Sequence, residues 1–236
     1  METRFGQYNT PQGSLMLPRD ITFDFSGLDP FEPNLDLYTV GTTQLFPVGT
    51  QLNDGFNKFR YVEFGETTAV GDLVEALPST NAHDVLDPTG TATDPFGTGA
   101  AATTAGATVI AFADSITLVV NEYSGGTARV EENVGKGYTY RILRNTAVSS
   151  AANEAIEISG GGLGLALSST SNLSLVRNKY SQVKQGNVTQ LGVNVGVANC
   201  IGADDSFGWL ATQGPWGVLS KGTLVIGDPA TNVTTA

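Results

Sequence analysis

Short runs of alternating apolar and polar residues, separated by glycine-containing turns, are the feature that most limits what this chain can fold into. The run Lys58–Phe64 places Phe59 and Tyr61 on one face and charged residues between them, a period of two that is typical of a β-strand. Asp54-Gly55 precedes it, and this pair favours hairpin turns because it tolerates positive φ angles. The 29 glycines in 236 residues disfavour long helices, since a glycine inside a helix costs about 1 kcal/mol relative to alanine.

The same reasoning predicts strands along most of the chain after residue 40. Further strands are expected at 45–52, 69–76, 115–123, 127–130, 138–143, 154–158 and 193–197, with one short helical turn allowed at 147–155. The segment 207–229, which contains both tryptophans, is expected to form closing hairpins. The predicted fold class is all-β, with a small β-barrel or β-sandwich body of short antiparallel strands and long loops.

The first 40 residues differ from the rest of the chain. Prolines interrupt them repeatedly and aspartates keep them polar, yet Ile21, Phe23 and Phe25 alternate with polar residues as in a strand. We predict an extended N-terminal arm over residues 1–40, with Ile21, Phe23, Phe25 and Phe31 as candidate partner contacts; the alternative is a flexible terminal tail. The body then spans 41–236 and includes a long Thr/Gly/Ala/Pro loop at 78–107.

Charge and hydropathy limit the classes of partner. The net charge is −11, from 23 acidic and 12 basic residues, and no dense cluster of Lys and Arg offers a surface for nucleic acid. The N-terminus lacks the apolar core of a signal peptide, and no apolar run reaches the 18 residues of a membrane span. We therefore expect synthesis in the cytoplasm and neither a nucleic-acid nor a membrane partner.

Residues that carry chemistry are sparse and poorly arranged. His83, the only histidine, lies beside Asp84 with no recognisable nucleophile nearby, and the single Cys200 is expected to be a small core residue. No spacing suits zinc, phosphate or an EF-hand calcium site. The acidic groups weighed as paired catalytic carboxylates each border a predicted turn, where solvation is expected: Glu131-Glu132, Asp204-Asp205 and Glu154 with Glu157. The sequence thus predicts no enzyme, no catalytic residue, no cofactor and no metal.

Several segments together resemble a known group of proteins. They are Leu45–Thr50, Phe59–Val62, Val70–Val74, Lys136–Ile142, Gly208–Pro215 and Gly227-Asp228. As a set they are similar to virion structural proteins of tailed phages, especially marine ones, over about residues 40–236 without the 78–107 loop. The resemblance implies a capsid-associated β protein of the decoration, or cement, type on the head exterior. It brings no active site with it.

The leading expectation is accordingly a decoration protein that contacts the major capsid protein, forms a homotrimer and lies on the capsid exterior. A tail, collar or fibre component is the alternative within virions. A carbohydrate-binding module is the alternative from another class, with Trp209, Trp216, Tyr138 and Tyr140 stacking on sugars. For the two tryptophans, packing in the core is favoured over sugar binding.

Overall fold

A computed structural model describes ten ranges of the chain. They are residues 7–10, 13–16, 36–77, 104–113, 119–131, 133–147, 153–168, 171, 173–186 and 192–219. Within these ranges the chain forms thirteen strands and no helix, which confirms the all-β prediction. No helix in the described part is long and apolar enough to cross a membrane.

The strands, in chain order, are β1 (Gln7–Thr10), β2 (Gly13–Met16), β3 (Gln51–Asn53), β4 (Lys58–Phe64), β5 (Leu73–Glu75), β6 (Val109–Ala113), β7 (Thr127–Val130), β8 (Thr139–Asn145), β9 (Asn153–Ile158), β10 (Leu173–Val176), β11 (Lys184–Gln185), β12 (Asn194–Ala198) and β13 (Ser206–Gln213). The helical turn allowed at 147–155 is wrong for 153–155, because Asn153 and Ala155 pair with β6.

The chain divides into two compact units. Unit 1 comprises Met1–Pro78 and Lys179–Ala236, and unit 2 comprises Ser79–Asn178. Unit 1 holds an eight-stranded antiparallel sheet in the order β1-β2-β3-β4-β13-β12-β5-β11, and unit 2 a five-stranded one in the order β10-β7-β8-β9-β6. The end strands of neither sheet pair with each other in the described residues. Both sheets are therefore open, as in β-sandwiches. The alternative prediction of a closed β-barrel is wrong.

Unit 1 has a cluster of apolar side chains on each face of its sheet. One contains Leu15, Phe46, Leu52, Phe59, Tyr61, Trp209 and Ala211, and we call it the aromatic cluster. The other contains Val62, Phe64, Val74, Val183, Val195, Ala198, Cys200 and Leu210. Successive side chains along β4 and β13 point to opposite faces of the sheet, which confirms the expected two-faced pattern of 58–64. Cys200 belongs to the second cluster, which confirms its expected core position.

Unit 2 has a single core made only of its own residues. Twelve buried residues form it, including Ile110, Ile142, Ile156 and Leu175. Tyr123 is one of the twelve. The strand expected at 115–123 is wrong for 119–123, since these residues form a turn. The turn replaces strand pairing with other bonds: the Tyr123 N–H donates to Asn145 Oδ1 at 2.9 Å, and Asn145 Nδ2 donates to the Val119 carbonyl at 2.8 Å.

The connections between the units follow from the pairing of β5 with β11. Glu75 lies opposite Lys184 and Val74 opposite Gln185. The chain therefore leaves unit 1 and returns to it through adjacent antiparallel strands. Unit 2 is an insertion in the sequence of unit 1.

The tryptophan-bearing segment forms one long strand in the described part. β13 pairs with β4 on one side and β12 on the other. After Gln213 the residues 214–219 carry no strand, so the hairpin expected through Trp216 is wrong there. The strand ends at Gly214 because the φ of this residue, +99°, lies outside the range of a β-strand. A side chain is disfavoured there, since an added Cβ would lie 2.2 Å from Asn57 Oδ1. Gly227-Asp228 lies outside the described residues.

Candidate functional site

The described part of the N-terminal arm is a hairpin that extends the sheet of unit 1. β1 and β2 pair from Gln7↔Met16 to Thr10↔Gly13, and β2 pairs with β3 from Ser14↔Asn53 to Met16↔Gln51. Residues 7–10 and 13–16 are thus placed on the body, and among the described strands β1 is the last at one end of the sheet. Main-chain groups at such an end are available to add a further strand.

Two features fix this hairpin on β3. The Leu15 side chain is only 2% exposed and belongs to the aromatic cluster. Gly13 has φ +137°, and a Cβ built there would lie 2.3 Å from the Asn53 carbonyl oxygen. Only glycine allows the backbone to approach so closely, because any side chain would overlap main-chain atoms.

The four arm residues expected to contact a partner, Ile21, Phe23, Phe25 and Phe31, lie outside the described residues, so their role stays a prediction. The chain is described again from Asp36, whose carboxylate accepts hydrogen bonds from the Thr39 hydroxyl and the Tyr38 N–H. These bonds lower the pKa of Asp36. The adjacent Leu37 packs against the aromatic cluster.

A phenylalanine missed by the sequence reasoning stands out on the surface of unit 1. Phe56 is 87% exposed at the tip of the turn between β3 and β4. The Asp54 carboxylate holds this turn by accepting the Asn57 N–H at 2.6 Å and the Phe56 N–H at 2.8 Å, and these bonds lower the pKa of Asp54. A large aromatic side chain on a fixed turn is a typical anchor for a protein partner.

The tryptophans pack in unit 1 rather than presenting a sugar platform. Trp209 is 2% exposed, with ring centroids 5.2 Å from Tyr61 and 5.7 Å from Phe46, and this confirms its predicted core position. Trp216 is half-buried and meets Phe59 edge-on at 5.2 Å.

The two tyrosines proposed for sugar stacking lie in unit 2. Tyr140 is buried, whereas Tyr138 is 46% exposed. Their rings stack with centroids 6.2 Å apart, as expected for two residues on one face of a strand. Of the four aromatic residues in the carbohydrate hypothesis, Tyr138 is the most exposed.

The described carboxylates occupy structural roles. Glu131 accepts a hydrogen bond from Ser174 Oγ at 2.7 Å and lies 3.6 Å from Arg129 Nε. Glu157 pairs with Arg144. Asp204 and Asp205 are exposed, and the described residues hold no group of three metal-ligating side chains.

Other groups weighed for chemistry fall outside the described residues. His83, Asp84 and Glu132 do so entirely, and the side chain of Glu154 does as well. The absence of catalytic and metal-binding groups therefore stays a prediction for the chain as a whole.

A largely buried ion pair in unit 2 was also missed from the sequence. Arg177 Nη2 pairs with Glu122 Oε1, both side chains are mostly buried, and the guanidinium lies 5.5 Å from the centre of the Tyr123 ring. In unit 1, Lys179 and Arg60 both lie over the Tyr180 ring. Arg177 and Lys179, two of the basic residues in the stretch 177–184, therefore make contacts within the protein. No local signal links Arg177 to a partner 55 residues away.

No protein-family model, curated protein or solved structure matches the chain. Function must therefore be argued from the residues themselves. The candidate site is the end of the unit 1 sheet where the start of β2, at Gly13, lies beside Asn53 and Asp54 of the β3–β4 turn.

Proposed function

We propose that this chain is a non-catalytic virion structural protein. In this proposal it is a decoration (cement) protein that binds the outer surface of a tailed-phage head through the major capsid protein and associates with itself as a trimer. The resemblance over residues 40–236 motivates the class. A tail, collar or fibre component is the alternative that the same resemblance allows.

The observation that carries the proposal is the exposed Phe56 on its fixed turn. Burying a phenylalanine side chain contributes about 1.5–3 kcal/mol, and little conformational entropy is lost when the turn is already held by Asp54. A contact of that size is weak for one molecule. It becomes strong when many copies bind a lattice together.

Charge and the arm support the same proposal. A protein of net charge −11 suits the outer face of a shell better than an interior lined with DNA. The segment 17–35 carries Ile21, Phe23, Phe25 and Phe31 between two parts of the chain that are held on the body. In the proposal these residues add a second contact with the capsid.

The test is binding of the purified full chain to DNA-filled heads that lack it, measured by co-sedimentation. Phe56→Ser should weaken binding about 10- to 100-fold, the equivalent of the 1.5–3 kcal/mol above. Val134→Ser, which changes an exposed apolar residue of unit 2, is the matched control and should bind as the wild type does. Saturation should occur at a ratio set by the capsid lattice.

Two results would overturn the decoration role. One is wild-type affinity of the Phe56→Ser variant for heads, which would remove its supporting observation. The other is binding only to detached tails, which would establish the tail component instead.

A further inference from the structure

We propose that residues 214–219, which we call the strap, open and close over the sheet of unit 1 while the rest of the unit stays folded. In this proposal the buried side chain of Asn199 shifts the equilibrium toward the open state. The inference concerns a single chain, and it requires neither a capsid nor a second copy.

The strap crosses one face of the unit 1 sheet. At its first residue, a Cβ built on Gly214 would lie 2.2 Å from Asn57 Oδ1, so this end is packed on the β3–β4 turn. Trp216 packs against the aromatic cluster. At the last residue, the Leu219 N–H donates to the Gly71 carbonyl at 2.7 Å, just before β5. The strap therefore lies on the face that carries the aromatic cluster.

The strap is held weakly compared with the strands beneath it. Trp216 meets Phe59 edge-on, and Leu219 makes the hydrogen bond to Gly71. The side chains of Val218 and Leu219 are 54% and 53% exposed, and residues 214–219 belong to no strand. Segments with few buried contacts open at a lower free energy than the whole domain unfolds. We therefore expect the strap to open by itself.

Asn199 lies beside the end of the strap. Ala198 is the last residue of β12, and its carbonyl accepts the Gly71 N–H at 2.8 Å. The Gly71 carbonyl in turn accepts the Leu219 N–H. The β12–β13 register, continued by one residue, places Asn199 opposite Trp209. Asn199 is therefore located between β13 and the last residue of the strap.

The Asn199 side chain points to the face that the strap crosses. Its neighbours Ala198 and Cys200 both belong to the cluster on the opposite face, and side chains along an extended chain alternate between faces. Asn199 is 1% exposed. Its Nδ2 and Oδ1 atoms are buried with no hydrogen-bond partner in the part of the chain that the structure describes.

A buried amide without partners makes the closed state less favourable. In water both polar atoms of the side chain form hydrogen bonds, and burial without partners loses them. Opening of the strap admits water to Asn199 and restores these bonds. A leucine at this position has the same number of side-chain heavy atoms and no polar group, so it should favour the closed state.

Amide hydrogen exchange of the full-length protein, followed by NMR, tests whether the strap opens by itself. Relative to their intrinsic rates, we expect the Leu219 amide to exchange about 100-fold faster than the amide of Leu210, a fully buried residue in the middle of the sheet. Low concentrations of urea should leave the Leu219 rate unchanged, because a local opening exposes little surface. They should accelerate Leu210, which exchanges when the unit unfolds.

A pair of variants tests the role of Asn199. Asn199→Leu should slow exchange at Leu219 about 10-fold, because the closed state no longer contains an unpaired amide. The matched control is Asn194→Leu, the same substitution at an exposed position at the other end of β12. This control should leave the Leu219 rate as in the wild type.

Two results for the wild type or the variants would overturn the proposal. If Leu219 matches Leu210 in both rate and urea dependence, the strap opens only when the whole unit unfolds. If Asn199→Leu leaves the Leu219 rate unchanged, raises it or prevents folding, the buried amide does not favour opening. Equal slowing by Asn194→Leu leads to the same conclusion, because the effect would then not depend on Asn199.

Discussion

Removal of unit 2 should leave unit 1 folded. The change is deletion of Ser79–Asn178, with a four-residue Gly/Ser linker joining Pro78 to Lys179. Both core clusters of unit 1 consist of residues outside the deletion. The two chain ends created by the deletion follow β5 and precede β11, which are paired neighbours, so a short linker closes the gap without moving a strand.

The deletion should stabilise unit 1 slightly. The chain between Glu75 and Lys184 shortens from about 100 residues to about 12, and the entropy of closing this loop scales as (3/2)RT ln n. The shorter loop therefore favours the folded state by about 2 kcal/mol. The urea dependence of the unit 1 transition should stay nearly the same as in the full chain, because the same surface of unit 1 is exposed in both proteins.

Tryptophan fluorescence measures this outcome for unit 1 alone. Trp209 and Trp216 are the only tryptophans and both lie in unit 1, so emission during urea unfolding of either protein reports on that unit. A control substitution, Leu210→Asp, places a charge at a fully buried position of unit 1, keeps both tryptophans and should abolish the cooperative transition. Loss of that transition in the deletion variant, or destabilisation by several kcal/mol, would refute the independence of the two cores.

Three further predictions concern buried polar groups. Asn145→Ala should destabilise unit 2 by about 2 kcal/mol in chemical denaturation, because it removes the bonds to Tyr123 and Val119 and leaves the buried Tyr123 N–H unpaired; an unchanged midpoint would show that this turn needs no such support. Burial raises the pKa of Tyr61, so the folded state favours its protonated form. The resulting stability is complete below the ordinary tyrosine pKa of about 10 and is lost as pH rises through the higher folded value. Urea midpoints at pH 9 and pH 11 check this. The difference between them should become smaller in Tyr61→Phe, and part of it should remain because the pKa of the buried Cys200 is raised as well. Burial likewise raises the pKa of Cys200, so thiol labelling at pH 8 should be at least 100-fold slower in native protein than in urea, whereas equal rates would contradict its burial.

The parts of the fold that could be predicted from sequence have local causes. β4 was expected at its observed bounds because Asp54-Gly55 supplies a turn and the following seven residues alternate. The two-faced burial of 58–64 follows from the same pattern. Trp209 was expected in the core because a large apolar side chain in a strand has few other places to go.

The parts that failed depend on residues distant in the chain. Residues 119–123 read as a strand, but the Asn145 side chain supplies bonds that hold them as a turn. Residues 45–50 also read as a strand, yet the Arg60 guanidinium donates to the Gly49 carbonyl at 2.7 Å and the Thr50 hydroxyl to the Pro47 carbonyl at 2.6 Å, which fixes a turn. Alternation alone does not reveal such partners.

The candidate site was predictable only in outline. The sequence indicates an arm, but not that β2 would pair with β3, because β2 has just four residues and no strong alternation. Phe56 is missed because the pattern predicts the turn but not the exposure of the side chains on it. An aromatic residue directly after Asp54-Gly55 was the available signal.

The central position of β13 has a consequence for biosynthesis. Unit 2 is one uninterrupted stretch of chain, so it can fold on the ribosome as soon as residue 178 has emerged. Unit 1 must wait, because the strand that fills the middle of its sheet is translated after the whole of unit 2. Until then β4 carries Phe59 and Tyr61 with no neighbour on one side, which is the kind of surface that chaperones recognise in nascent chains. A message truncated before residue 206 would therefore yield a protein whose inner half folds normally while its two outer portions remain without a common core.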